Sequence, residues 1–149
     1  DPAAAGSHTF WVPSREPTEE TPEVPRTIPE TPSAPKSMAP YSPAAEAGGL
    51  VFLSGQVGLV PATGERAPDD VTAQAHQVMS NIGGILGDLG LDYSDIVRAS
   101  IFLADIGDFA AVNEVYAGYL DDPYPARTTV QAGALPGGFL VEIEVVAAR

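Results

Sequence analysis

Residues 139–147 read Phe139-Leu140-Val141-Glu142-Ile143-Glu144-Val145-Val146-Ala147. Valine and isoleucine recurring at every second position mark a strand with one buried face. A period of two sets Val141, Ile143 and Val145 on that face, and Leu140, Glu142, Glu144 and Val146 on the other. Two carboxylates flanked by apolar residues on one strand face are either solvated at a sheet surface or held in a cleft. In a cleft, burial raises a carboxylate's pKa and suits it to general acid–base work.

The elements around this strand follow from its flanks. The turn Leu135-Pro136-Gly137-Gly138 separates it from a strand over residues 128–134. Pro125-Ala126-Arg127 precedes that strand, and the proline blocks helix continuation and sets Arg127 at the strand's opening. Residues 96–103 alternate as Val97, Ala99, Ile101 and Leu103, a further strand. Residues 50–59, LVFLSGQVGL, are β-rich and punctuated by Gly55 and Gly58, which predicts a strand with a bulge or a close backbone approach. Pro61-Ala62-Thr63-Gly64-Glu65 is turn chemistry. Between these strands lie two helical patterns. Asp69 or Asp70 caps the first, which carries Val71, Ala75, Val78, Ile82, Ile85 and Leu89 and ends at Gly90, an expected left-handed cap. Gly83-Gly84 inside it predicts a helix lying very close to a sheet. Asp108 caps the second, whose stripe is Phe109, Val112, Tyr116 and Tyr119. The order strand(s), helix, strand, helix, strand, strand predicts an α+β layer: a mixed sheet with two helices packed on one face.

The chain has 149 residues, room for one domain, with Lys+Arg 7 against Asp+Glu 20 and a formal net charge of −13. That field repels nucleic acid and anionic membrane. No cysteine is present, which excludes disulfides, thiol catalysis and Cys-based metal sites. His8 and His76 lie far apart, too few for a His-rich metal site, and His76 reads as a surface or supporting residue. No apolar run approaches the ~18 residues needed to cross a bilayer. The expectation is a soluble, cytoplasmic, acidic protein handling a small molecule or a protein partner.

Nine of fifteen prolines fall between Pro2 and Pro40. Residues 1–36 therefore read as a Pro-rich tail, extended, polyproline-like or disordered, and residues 37–149 as the domain. Phe10-Trp11-Val12 in the tail is either solvated or docks on a groove of its own or a neighbouring subunit. Asp1 in place of Met, with Gly6-Ser7-His8 resembling an expression remnant, points to a processed or truncated start.

The domain carries 14 acids and only four cations, Arg66, Arg98, Arg127 and Arg149. Arg127 at an element's edge is either an anion receptor, whose planar fork takes a carboxylate bidentately, or half of a structural ion pair. Ser54-Gly55-Gln56 offers a hydroxyl, an unhindered backbone and an amide at a strand end. Asn113 and Tyr116, three apart, nearly share a helix face. Tyr41 follows a proline in an extended lead-in. No Gly-rich nucleotide-binding loop, nucleophile elbow or His-Glu-x-x-His string occurs.

Ala39-Pro40-Tyr41-Ser42-Pro43-Ala44, Val51-Phe52-Leu53-Ser54-Gly55-Gln56, Pro61-Ala62-Thr63-Gly64, Asn81, Asp95-Ile96-Val97, Asp108-Phe109, Asn113-Glu114-Val115-Tyr116, Pro125-Ala126-Arg127 and Val141-Glu142-Ile143-Glu144 follow one another at spacings that resemble the Rid/YjgF family of enamine/imine deaminases. The resemblance spans about residues 35–148. It implies a chorismate-mutase-like α+β protomer in a homotrimer, sheets inward and helices outward, with three clefts between neighbouring subunits. It also implies cofactor-free hydrolysis of 2-aminoacrylate-type 2-imino acids to 2-keto acids and ammonia. Arg127 would grip the substrate carboxylate and Glu142 would orient or activate the water, while Tyr41, Ser54, Gly55 and Asn113 line the cleft. Thr129 joins this substrate-binding set where many members carry cysteine, so no thiol contributes. Ala39 and Pro43 replace a common glycine and glutamine, and Phe139-Leu140 replaces residues that are often polar, which makes the cleft more apolar. A second implied reading is a non-catalytic trimer of the same fold that binds a metabolite in its clefts or a protein through its Pro-rich arms.

Overall fold

A computed structural model describes residues 25–149 of the chain, and the Phe10-Trp11-Val12 and Gly6-Ser7-His8 segments lie outside them. Five strands, β1 (Ala44–Ala47), β2 (Leu50–Leu53), β3 (Ile96–Leu103), β4 (Ala126–Gln131) and β5 (Val141–Ala148), form one sheet in the order β1-β2-β5-β3-β4. The valine-rich strand β5 sits in the middle, antiparallel to β2 and β3, while β3 and β4 are parallel. A parallel pair needs a crossover, and the helix α2 (Phe109–Tyr119) supplies it. With the other helix, α1 (Val71–Asp88), the chain is a mixed α+β fold of two helices and a five-stranded sheet.

The period-two reading of β5 holds. Val141, Ile143, Val145 and Ala147 are buried and share one core with Ala75, Val78, Met79, Ile82, Ile85 and Leu86 of α1. Burying an aliphatic side chain of this size is worth about 1.5–3 kcal/mol, so this stripe sets which sheet face the helices cover. The opposite face carries Phe52, Val146, Arg98, Ser100, Phe102, Glu142, Glu144 and Val130, and Phe52 and Val130 there are 46% and 42% exposed.

Several expectations change. The strand predicted over residues 50–59 ends at Leu53; its glycines serve a close approach. β1, an Ala-rich strand without β-branched residues, is reached through Gly48-Gly49, both at positive φ as a two-residue hairpin turn requires. β4 begins two residues earlier than the pattern suggested and ends at Gln131. Asp70 caps α1, its carboxylate accepting from Ala73 N at 2.8 Å, and Gly90 has φ +73° as expected. Gly83 and Gly84, however, do not make room for the sheet. A Cβ on Gly83 would lie 2.2 Å from the Tyr93 hydroxyl oxygen, and one on Gly84 would lie 3.2 Å from Ser33 Cβ. The Tyr93 hydroxyl fills that space and donates to Met79 O at 2.7 Å. Asp108 makes no side-chain cap to α2; Asp105 instead accepts from Gly107 N, capping a short 3₁₀ turn that leads into the helix.

Residues 25–36 contribute to the packing. Thr27 and Glu46 exchange two backbone hydrogen bonds along the outer edge of β1, and Ser33 donates twice to the Asp88 carboxylate at the end of α1. Ala34 packs against the core. No helix among the described residues is long and apolar enough to cross a membrane.

Two buried amides on α1 fasten the loops that surround the bare face. Asn81 donates to Leu59 O at 2.8 Å, and Gln74 Oε1 accepts from Leu140 N at 2.8 Å, the last residue before β5. Buried amides placed this way satisfy loop groups that would otherwise cost desolvation energy.

Candidate active site

Glu142 is half-buried on β5, opposite Phe102 of β3 and on the helix-free face. Gly55 is pressed against it: a Cβ there would lie 2.9 Å from the Glu142 carboxyl carbon, so any larger residue would push the carboxylate from this position. Ser54 sits beside it with its hydroxyl donating to Ser42 O at 2.6 Å. These residues and Tyr41, itself half exposed, line one cavity of about 520 Å³ with Val57, Pro136 and Phe139. Burial, followed by the charge of Glu144 two residues on, pushes the Glu142 pKa above the ordinary carboxylate value. A carboxylate held this way takes a proton from water at higher pH than an exposed one.

Arg127 stands on a different surface. It lies on β4 opposite Ala99, a fully buried residue of the helix-covered face, and Thr129 lies opposite the buried Ile101. Its guanidinium carbon is 5.2 Å from the centroid of the Tyr116 ring and 5.5 Å from that of Phe109, both on α2. Ring faces attract a guanidinium at this range without consuming its N–H donors. The sole ion pair among the described residues joins Arg149 to Glu46, so the structural ion pair considered for Arg127 is not formed there. Asn113, Tyr116, Tyr124, Pro125 and Arg127 line a cavity of about 330 Å³. The Tyr116 hydroxyl at this cavity and the Thr129 hydroxyl, two residues along β4 from Arg127, are buried without a hydrogen-bond partner among the described residues. Burial raises the Tyr116 pKa, and the Arg127 charge opposes that rise.

The structure thus brings the sequence-predicted residues together as two groups. Tyr41, Ser54, Gly55 and Glu142 form one. Asn113 and Arg127 form the other, with Thr129 on the same face of β4 as Arg127 but outside the cavity lining. Register puts Glu142 and Arg127 on opposite faces of one sheet, so a single chain does not bring guanidinium and carboxylate to a common substrate. Sequence reasoning missed Tyr124 at the Arg127 cavity, whereas Phe139, expected to make the cleft more apolar, does line the Glu142 cavity. The aromatic spacing of Phe109 and Tyr116 was visible, but not that its target is Arg127. His76 is exposed, its Nδ1 2.9 Å from the Tyr119 hydroxyl, away from both cavities. Among the described residues no group of three His, Asp or Glu side chains is placed to hold a metal.

A sheet of this order, with its glutamate strand central and its arginine strand at the edge, is the architecture of an identified family. The chain belongs to the Rid/YjgF family, also described as endoribonuclease L-PSP, which matches residues 31–149. It is 53% identical over 116 residues to protein DfrA of Myxococcus xanthus, covering 76% of this chain and 88% of that protein. It is 44% identical over 124 residues to the 2-iminobutanoate/2-iminopropanoate deaminase of Capra hircus, covering 83% of this chain and 90% of the relative. The crystal structure of RidA from the Antarctic bacterium Psychrobacter sp. PAMC 21119 superposes with a TM-score of 0.79 at 41% identity, over 83% of this chain and 99% of that one.

Proposed function

We propose that this chain hydrolyses 2-imino and enamine acids to 2-keto acids and ammonia, in clefts shared between subunits of a homotrimer. One observation carries the reading: in a chain of net charge −13, Arg127 is held by two rings rather than by a carboxylate among the described residues. A guanidinium kept unspent beside a cavity is suited to an anionic guest. The imine/enamine deaminase names of relatives covering most of the chain agree with it.

In this mechanism Arg127 clasps the substrate carboxylate, assisted by Asn113 and Thr129. The C=N bond is already electrophilic, so no cofactor is required. Water adds to the imine carbon as the Glu142 carboxylate takes one of its protons. That proton passes to the nitrogen to give a carbinolamine. Glu142 then takes the carbinolamine hydroxyl proton and hands it to the same nitrogen as the C–N bond breaks. Ammonia leaves, the carbonyl forms, and one water is consumed per keto acid and ammonia produced. Tyr41, Ser54 and Gly55 shape the Glu142 side.

The opposite faces of Arg127 and Glu142 support sharing between copies. On the helix-free sheet face Phe52, Phe102, Val130 and Val146 are interspersed with Arg98, Ser100 and Glu144, and its partly exposed apolar side chains favour burial against further copies. RNA cleavage, which the family description evokes, is disfavoured by a field that repels phosphate.

The test generates imino acids with an amino-acid oxidase and follows keto-acid appearance with and without the protein. Acceleration in the wild type and its loss in Arg127→Ala, with the assembly intact by sedimentation, supports the proposal. Full activity in Arg127→Ala refutes it. No acceleration, together with a melting temperature raised by 2-keto acids, identifies a binding protein instead.

A further inference from the structure

The turn leading into β5 carries a contact for which the proposed chemistry has no use. Arg66 donates from Nη1 to Gly137 O at 2.6 Å and lays its guanidinium carbon 3.8 Å from the Phe139 ring centroid. The backbone beneath Arg66 is itself anchored, since Arg66 bridges Leu59 and Ala67 N donates to Gly58 O at 2.8 Å. Gly137 is required twice over. Its φ is +77°, and a Cβ would lie 2.9 Å from Phe139 Cε2 and 3.4 Å from Arg66 Nη1. Phe139 is only 6% exposed, yet it lines the cavity that holds Glu142. A cation on its ring and a glycine at its back leave it one position.

We infer that Phe139, held in place by Arg66, forms a fixed apolar wall that selects the substrate by its side chain, favouring imino acids whose side chains are branched aliphatic or aromatic. The inference rests on the deaminase reading above. With the carboxylate committed to Arg127 and the imine carbon to the water at Glu142, the substrate side chain faces what remains of the Glu142 cavity. Its apolar lining is Val57, Pro136 and Phe139. An acidic side chain would meet the Glu142 carboxylate as a like charge, and a polar one would lose its hydration there without replacement. Arg66 acts through Phe139 and is a positioning residue.

The experiment compares kcat/KM for imines made from alanine, leucine, phenylalanine and glutamate by amino-acid oxidases, in the wild type, Phe139→Ala, Arg66→Ala and Arg66→Lys. The leucine- and phenylalanine-derived imines are expected to exceed the alanine-derived one by about tenfold, the scale of one methylene in an apolar pocket, with the glutamate-derived imine the poorest. Phe139→Ala and Arg66→Ala are each expected to reduce that preference severalfold, and Arg66→Lys, which keeps a cation over the ring, to retain more of it. If Phe139→Ala does not fold, the exposed Arg66 positions carry the test. An absent preference, or one unchanged in both alanine variants, overturns the wall and leaves the deaminase reading intact. If no imine is turned over, that reading fails, and calorimetry with pyruvate and 4-methyl-2-oxopentanoate then decides the wall. Tighter binding of the longer acid that is lost in Arg66→Ala upholds it, and equal affinities overturn it.

Discussion

The Glu142 cavity and the Arg127 cavity are built by different means. The first is made by backbone: Gly55 approaches a carboxylate so closely that a Cβ would displace it, and Ser54 is tied to a main-chain carbonyl. The second is made by side chains: two rings of one helix hold a guanidinium on the opposite face of the sheet. Each is complete as packing and incomplete as chemistry. Glu142 does not have Arg127 beside it, and the Arg127 cavity is not lined by an acidic side chain among the described residues. Under the proposed function, a site split between faces of one sheet would make assembly, rather than folding alone, the step that creates activity.

The sharpest way to break this comparison is complementation. Arg127→Ala and Glu142→Gln are each expected to lower kcat/KM by at least about 10²-fold, the lower end of what general acid–base catalysis contributes. Co-refolded in equal amounts, they are expected to recover about a quarter of wild-type turnover. In a closed ring, one cleft in four then draws its arginine and its glutamate from unmutated positions on neighbouring chains. Turnover assays on the mixture check this, and no recovery would mean that both groups act within one chain.

The family resemblance implied clefts between subunits, but which face of the sheet each residue takes was not legible in the sequence, for a physical reason. Val141, Ile143 and Val145 could be assigned to the core because a central strand has a fixed period, and the same period paired Glu142 with Glu144 on the other face. Pro125-Ala126-Arg127 announces where β4 begins, but the face that Arg127 takes depends on the register of β4 against β3, a pairing written in neither strand alone. Gly83 and Gly84 were legible as a close approach and not as an approach to Tyr93 and Ser33, since the partner lies elsewhere in the chain. Asp105 and Asp108 both precede α2, and composition does not choose between them. Arg66 stood out as one of four cations, while its ring partner is 73 positions away.

A smaller effect sharpens the Glu142 side. Its pKa is raised first by burial and second by Glu144. If turnover needs the ionised carboxylate, activity is lost as pH falls through a value above that of an ordinary glutamate. Glu144→Gln removes the second cause, so the acid limb of the kcat/KM profile is expected to move to lower pH. An unmoved limb would assign it to another group. Stability has the opposite sign. The folded-state pKa is above the unfolded one, so Glu142 contributes stability that is present below the unfolded value and lost as pH rises through the folded one. Glu142→Gln is therefore expected to melt higher than wild type at neutral pH and no higher in acid.

The smallest expected effect tests the Arg127 side. The Tyr116 side chain is 5% exposed, and its hydroxyl has no partner among the described residues. A buried donor left unpaired forfeits its hydration and gains nothing in return, so deleting the oxygen removes a cost and keeps the ring beneath Arg127. Tyr116→Phe is expected to change unfolding free energy by no more than about 0.5 kcal/mol, or to raise it, as read by denaturant titration. A loss of about 2 kcal/mol would carry more information than the null result. It would mean that the hydroxyl is paired in solution, and since the described residues of one chain offer no partner, the acceptor would come from a neighbouring copy or a trapped water. The helix-covered half of the site would then need the assembly for its structure as well as for its chemistry.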